Sequence, residues 1–251
     1  MEKEVLICCE NRKIYGVASI LADNKKMPVV IFSHGYNGSA DSFEKYAGYF
    51  LEKGIASFRY DFCGGSVHSR SSMATTDMTI FTEKEDLMAV IRTVRNWEWA
   101  DPKNIFLFGE SQGGLVSALT AAEPEVILRG LILLYPALCI ADNWNSKFPR
   151  DEDIPPEEDF WGMKLGKVFF ASLRNVDTFS SISHFHGPVL IMHGDRDAAV
   201  PPEYSRHAAR VYSHAQIKIF PGEGHGFTEE GTKQVMELSR NTILKWILPE
   251  K

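Results

Sequence analysis

The chain is short of positive charge: 27 Lys and Arg stand against 33 Asp and Glu, a formal net charge of −6. No stretch is dense in Lys or Arg, and holding a phosphate backbone needs a concentrated positive face, so nucleic acid is excluded as a partner, and an anionic membrane surface with it. Long apolar runs are also missing. A run such as Gly130 to Ala141 has only twelve residues and contains Pro136, whereas a bilayer span takes about 20. The first ten residues, Met1 to Glu10, carry acids where a secretory leader needs a basic region, which leads to the expectation of a cytoplasmic protein. Cysteine is scarce: Cys8, Cys9, Cys63 and Cys139 form no Cys-x-x-Cys pair, and neighbours in sequence bridge poorly, so free thiols in a reducing compartment are expected. There is no internal repeat and no low-complexity tract.

What is present is an ordinary globular composition, with 44% hydrophobic residues in 251 positions, enough for one large core. Val5 to Cys9 and Ile14 to Leu21 read as an opening antiparallel hairpin. From Pro28 the rhythm changes to short continuous apolar runs, Pro28 to Ser33, Ile55 to Tyr60, Ile105 to Phe108, Leu131 to Tyr135, Pro188 to Met192 and Gln216 to Phe220, separated by helical stretches. Such runs mark parallel strands covered on both faces. Leu87, Val90, Ile91 and Val94 place a helix over about Thr82 to Trp97, with Glu83, Glu85 and Asp86 in its first turn, and Asp101-Pro102 is expected to break the chain after it. Further helices are expected at Gln112 to Ala122, Pro202 to Tyr212 and Lys233 to Trp246. Together these give an α/β fold with eight strands, mostly parallel, and helices on both faces.

About 50 residues, Leu138 to His186, interrupt that alternation where an ordinary connection needs far fewer. This insertion opens with an acidic, proline-containing part and continues with Phe160, Trp161, Met163, Leu165, Val168, Phe169, Phe170 and Leu173. It reads as a loop plus a helix forming a cap over a binding site, which divides the chain into a core of residues 1–137 and 187–251 and a cap of residues 138–186.

Gly109-Glu110-Ser111-Gln112-Gly113-Gly114 follows an expected strand and opens an expected helix. In that setting Ser111 sits on a tight turn with its hydroxyl projecting and the helix N-terminus aimed at developing negative charge. A hydroxyl is a poor nucleophile unless a base, oriented by an acid, takes its proton. His225, in the Gly-rich loop Gly222 to Phe227, offers the base, and Asp197, after the strand Pro188 to Met192, offers the acid, with Asp195 its nearer rival and Asp142 a more distant one. His193 reads as a packed turn residue, and His184 and His186 with Asp195 lack the geometry of a metal-binding helix. His68, His207 and His214 lack a Gly-rich setting at a strand end. His34-Gly35-Tyr36, after the strand Pro28 to Ser33, supplies an oxyanion donor through Tyr36, and the residue after the nucleophile, Gln112, supplies the other.

With these pieces on one chain, the sequence resembles the α/β-hydrolases and, within them, the small bacterial feruloyl or cinnamoyl esterases. The resemblance runs through His34-Gly35-Tyr36, Phe58 to Phe62, the Gly109 to Gly114 turn, Tyr135-Pro136-Ala137, the insertion, and Gly194-x-x-Asp197-x-x-Val200-Pro201 with Gly224-His225. It implies the α/β-hydrolase fold, Ser111, His225 and Asp197 as a catalytic triad, Tyr36 and Gln112 as oxyanion donors, and insertion residues touching the acyl group, for which Asp142, Trp161, Phe169 and Phe170 are the candidates. The chain departs from that family at Glu110, where relatives carry His before the serine, and at Cys63 to His68, where they carry a Gly-x-Gly turn. The expected function is a carboxylic ester hydrolase working through an acyl-enzyme on small neutral esters, hydroxycinnamoyl or short-chain acyl, with no metal or cofactor called for. A monoacylglycerol lipase, a thioesterase or a peptidase-like enzyme would share these residues, and a non-catalytic small-molecule receptor could use the same scaffold. The oligomeric state stays open, a homodimer included. Six acids of the insertion, Asp151, Glu152, Asp153, Glu157, Glu158 and Asp159, equal the net charge in number and are expected to disfavour strongly anionic substrates.

Overall fold

The structure is a computed structural model that describes residues 1–21 and 25–247, so residues 22–24 and 248–251 of the expected core lie outside the described residues. The strand β1 (Glu2–Cys9) pairs antiparallel with β2 (Arg12–Ser19), Ile7 opposite Ile14. The chain then alternates: β3 (Met27–Ser33), α1 (Glu44–Leu51), β4 (Ala56–Tyr60), α2 (Ile80–Arg95), β5 (Ala100–Glu110), α3 (Ser111–Ala121) and β6 (Gly130–Leu134). A second group intervenes, α4 (Ile140–Lys147), β7 (Glu157–Phe160), β8 (Met163–Gly166), α5 (Lys167–Ser172) and α6 (Thr178–Ile182), before β9 (Val189–Gly194), α7 (Pro202–Val211), β10 (Ala215–Phe220) and α8 (Glu229–Ile247).

Eight strands form one sheet in the order β1-β2-β4-β3-β5-β6-β9-β10, and only β2 runs against its neighbours. The period of two along each central strand sorts the core into two layers. Ile31, Leu107, Leu133 and Ile191 face Leu87, Val90, Val94, Leu115 and Val116 of α2 and α3. Phe32, Phe106, Phe108, Leu134 and Met192 face Tyr46 and Phe50 of α1 and Val235 and Ile243 of α8. Both sheet faces are therefore dry, which is why these strands read as continuous apolar runs rather than alternating ones. Among the described residues no helix is long and apolar enough to cross a membrane, and all four cysteines are free.

Two local readings differ from the sequence expectation. β5 begins at Ala100, before Asp101-Pro102, because Ala100 pairs with Met27 and the register then slips, Ile105 pairing with Val29. The irregularity absorbs the proline, which has no N–H to give to a ladder. The insertion holds a hairpin as well as helices: β7 and β8 turn through Trp161 and Gly162, both at positive φ (48° and 78°). That is the backbone of a two-residue type I′ turn, which Asn-Gly ordinarily signals and Trp-Gly hides.

Phe32 is fully buried, stacked on Phe43 at 4.7 Å and packed against Tyr46, Phe50 and Phe108. Phe32→Ala is expected to cost about 3–5 kcal/mol, read as a lower urea midpoint with an unchanged slope.

Candidate active site

Ser33 ends β3 with His34 next, Glu110 ends β5 and Ser111 opens α3, Tyr135 follows β6, Asp197 follows β9 and His225 follows β10. All lie at the carboxyl edge of the parallel strands, where open α/β sheets place their ligands. At the centre, Ser111 holds φ +50°, a left-handed conformation that costs a non-glycine residue energy and points its side chain away from the helix it starts. The turn fits only because its flanks carry no Cβ. A Cβ on Gly109 would lie 2.3 Å from the Gly113 carbonyl oxygen, and one on Gly113 would lie 2.3 Å from the carbonyl oxygens of both Ser33 and His34. Helix α3 thus abuts β3 and β5 at backbone distance.

Ser111, His225 and Asp197, separated by up to 114 positions in sequence, form a hydrogen-bonded row. Ser111 Oγ is 2.9 Å from His225 Nε2, and His225 Nδ1 is 2.8 Å from Asp197 Oδ2. Because the carboxylate can only accept, Nδ1–H donates to it, and Nε2 is left as the acceptor facing the serine hydroxyl. Asp197 is held by more than His225. Its Oδ1 accepts the N–H groups of Ala199 (2.9 Å) and Val200 (2.8 Å), and Oδ2 also meets His193 Nε2 at 3.1 Å. Burial alone would push its carboxyl up, but hydrogen bonds from His193, His225 and Val200 outweigh it and hold the carboxyl well below the usual carboxylate range. His193 is fully buried, with Nδ1 2.7 Å from Ser205 Oγ. Asp195 points elsewhere, accepting the Gly222 N–H at 2.7 Å. Among the described residues no group of three or more His, Cys, Asp or Glu could hold a metal ion.

The loop His34 to Gly38 crosses in front of Ser111. A Cβ on Gly35 would stand 3.2 Å from Ser111 Cβ. The loop is pinned on both sides of Tyr36: Glu110 accepts the Gly35 N–H at 3.3 Å, and the Asn37 N–H reaches the Gly65 carbonyl at 3.1 Å. Gln112 is the second residue of α3, in the first turn, where backbone N–H groups have no intrahelical acceptor. His34 is locked as the neutral ring, donating from Nδ1 to the Gly35 carbonyl and accepting the Phe62 N–H at Nε2, and its burial lowers its proton affinity.

A cavity of about 210 Å³ lies over Ser111, lined by the core residues Tyr36, Gln112, Val200 and His225 and, from the insertion, by Trp144, Lys147, Phe160, Trp161, Leu165 and Phe169 among others. Its aromatic walls interlock: Tyr36 and Phe160 meet edge-on at 5.3 Å, and Trp144 and Phe160 at 5.0 Å. The Tyr36 hydroxyl also donates to the carbonyls of Phe160 (2.8 Å) and Met163 (3.2 Å), clipping the β7–β8 hairpin to the core loop. Of the four acyl contacts expected, Trp161 and Phe169 line the cavity and two do not. Asp142 faces outward and accepts the Tyr204 hydroxyl at 2.6 Å, and Phe170 packs beneath the lining against Trp144 and Phe148.

The acidic cluster of the insertion is largely neutralised in place. Asp151 pairs with Arg174, Glu152 and Asp153 with Arg150, Glu157 with Lys164 and Glu158 with Lys147. Exposed pairs such as these add little stability, but they cancel most of the field the acids would otherwise send into the cavity. The sequence shows the acids as a block because their cations are scattered over 28 positions, Lys147 to Arg174.

Three buried acids escaped the sequence reading. Glu83, Glu85 and Asp86 are read from the sequence as acids of the first turn of α2, and the structure turns only Glu85 outward. The positions of Glu83 and Asp86, on the same i, i+3, i+4, i+7 stripe as Leu87, Val90 and Val94, carried the signal. Glu110, at the residue before the serine, lies between the Gly35 N–H and the Tyr135 hydroxyl, each at 3.3 Å, and burial pushes its carboxyl above the usual carboxylate range.

A mostly parallel sheet with helices on both faces and a serine at a left-handed strand-to-helix turn defines an α/β-hydrolase. Residues 24–184 match the family described as serine aminopeptidase, S33, and the chain belongs to that family. Est1E from Butyrivibrio proteoclasticus, solved with ferulic acid bound, superposes with a TM-score of 0.88 at 27% identity, covering 97% of this chain and 99% of that one. Among curated proteins, the non-heme chloroperoxidase CPO-A1 of Kitasatospora aureofaciens is 30% identical over 77 residues, 28% of each protein. The acylamino-acid-releasing enzyme of Homo sapiens is 20% identical over 225 residues, 82% of this chain and 30% of that protein. The chain therefore spans less than a third of the length of these two curated relatives.

Because its Cβ would meet two carbonyl oxygens, Gly113→Ala is expected to cost more than about 3 kcal/mol, seen as a drop in Tm together with lost reactivity of Ser111 toward a fluorophosphonate.

Proposed function

We propose that the protein is a serine carboxylesterase acting on small, neutral esters with an aromatic acyl group, of which a hydroxycinnamoyl ester is the type. The observation that carries the reading is the hydrogen-bonded row Ser111–His225–Asp197 opening into a cavity walled by aromatic side chains. In this reading His225 Nε2 takes the Ser111 proton as Oγ attacks the ester carbonyl, and Asp197 steadies the imidazolium that forms. The N–H groups of Tyr36 and Gln112 hold the oxyanion, and each such donor is worth on the order of 100-fold or more in rate. Collapse of the tetrahedral intermediate passes the proton from His225 to the leaving alkoxide and leaves an acyl-enzyme. Water, deprotonated by the same histidine, then attacks the acyl carbon and releases the acid and free Ser111.

The insertion, residues 138–186, acts as the cap that shapes the acyl pocket, with Trp161 and Phe169 touching the acyl group and Trp144 and Phe160 completing the wall. The aromatic lining supports a flat, unsaturated acyl part over a flexible one, since stacked and edge-on contacts reward a rigid ring. Aminopeptidase chemistry, which the family description names, needs a carboxylate to hold the free amine of a peptide. The cavity lining contains none, and its charged residues are Lys147 and, when protonated, His225.

Ser111→Ala is expected to lower turnover of p-nitrophenyl butyrate and methyl ferulate by at least about 1,000-fold; turnover near the wild-type rate in that variant would overturn the reading. Methyl ferulate should exceed methyl butyrate in kcat/KM by about tenfold or more. A preference for methyl butyrate would remove the aromatic acyl assignment and leave the serine chemistry standing.

A further inference from the structure

Both loops that carry the proposed oxyanion donors converge on one buried carboxyl. Glu83 projects from α2 and is 1% exposed. Its Oε2 accepts the Gln112 side-chain N–H at 2.9 Å, behind the residue whose backbone N–H faces the oxyanion. Its Oε1 lies against the Gly64-Gly65 turn: a Cβ on Gly65 would stand 3.0 Å from it and 3.3 Å from His34 Cε1. The Gly65 carbonyl in turn accepts the Asn37 N–H, which anchors the loop next to Tyr36. We propose that Glu83 is a positioning residue that sets both oxyanion donors and works as the neutral acid, so that its ionisation opposes the reaction. The inference rests on the esterase reading above and extends it to a residue that touches no substrate atom.

The chemistry follows from where charge appears. The step that forms the tetrahedral intermediate places a negative charge at the N–H of Gln112, and a carboxylate on the far side of the same residue repels it through a water-free interior. Protonated, Glu83 keeps its oxygen as acceptor for Gln112 and exerts no such repulsion. Burial pushes the Glu83 carboxyl up to about 8, against the opposing hydrogen bond from Gln112 and with a further push from Asp86. The other groups around it hold their charge over the range where Glu83 changes. Asp86 on the same helix, raised by burial to about 6, is ionised and lies 3.5 Å from Arg12 of β2, which stays cationic. Tyr60 of β4, Tyr36 and Cys63 are all raised by burial, and His34 is lowered, so all four stay neutral there.

The test is the kcat profile on p-nitrophenyl butyrate from about pH 6 to about pH 9.5 for the wild type, Glu83→Gln and Glu83→Leu. Wild-type kcat should fall about tenfold above a midpoint near 8, with KM little changed. Glu83→Gln, which offers Gln112 the same acceptor without a charge, should lose that fall. Glu83→Leu, with no acceptor, should lose about tenfold in kcat across the range, and the glutamine variant should recover it. A stability readout checks the raised carboxyl independently of activity, while the kcat profile separates positioning from a purely structural role. A carboxyl raised from 4.5 to about 8 contributes stability that is present below its ordinary range and lost as pH rises through 8. Tm of the wild type should therefore decline relative to Glu83→Gln over that window. An alkaline fall that persists in Glu83→Gln, or no fall in the wild type, overturns the proposal; if Glu83→Leu does not fold, the glutamine comparison still decides. Fluorophosphonate labelling of Ser111 in the wild type keeps the two readings apart, since its absence removes the serine-hydrolase reading and the role of Glu83 with it.

Discussion

The contact between the first turn of α3 and the ends of β3 and β5 governs everything above the sheet. Where backbone meets backbone with no side chain between, the strand-to-helix turn has one available path, and that path forces Ser111 into the left-handed region with its hydroxyl raised from the sheet edge. The same approach brings the His34 to Gly38 loop alongside and lets one helix terminus serve the space in front of the serine. A helix held even one side chain further away would leave the Ser111 hydroxyl, His225 and the His34 to Gly38 loop without a common centre.

The acids beneath this centre differ in how they are solvated by the protein. Asp197 is met by two backbone N–H groups and two imidazoles, and the protein replaces most of the water it loses. Asp61 is treated similarly, by Ala40 and by the backbone and guanidinium of Arg70, and it too is depressed although burial opposes this. Glu83 has a single amide donor and Glu110 two long contacts, so burial wins and both carboxyls are pushed up. The direction in which each of these carboxyls is shifted follows the donors aimed at it rather than depth alone.

Much of this was legible in the sequence, and what was not has identifiable reasons. Strands buried on both faces announce themselves as apolar runs, and the Gly109 to Gly114 turn is readable because close backbone approach permits so few residue types. Asp197 is preferred to Asp195 because the Gly194-x-x-Asp197-x-x-Val200-Pro201 segment resembles the family's, and the structure gives the two residues different partners. The β7–β8 hairpin went unseen because a tryptophan occupies its left-handed position. The burial of Glu83 and Asp86 was not foreseen, although the helical stripe they share with Leu87, Val90 and Val94 carries it. The acid block of the insertion looked like a field source because ion pairing is decided in space, by cations distant in the chain.

The tyrosine clip has a bearing on how such a protein diversifies. The insertion looks like an independent module in sequence, bounded by β6 and β9, yet its hairpin is held by the hydroxyl of Tyr36, a residue of the loop facing the serine. An insertion exchanged for another of equal length would bring a new pocket wall but would also have to present two carbonyls to that hydroxyl. Without them, the loop facing Ser111 would lose its outer support. Exchange of specificity in this architecture is therefore constrained by bonding as well as by shape, and the insertions free to replace one another are those that keep a tight hairpin over Tyr36.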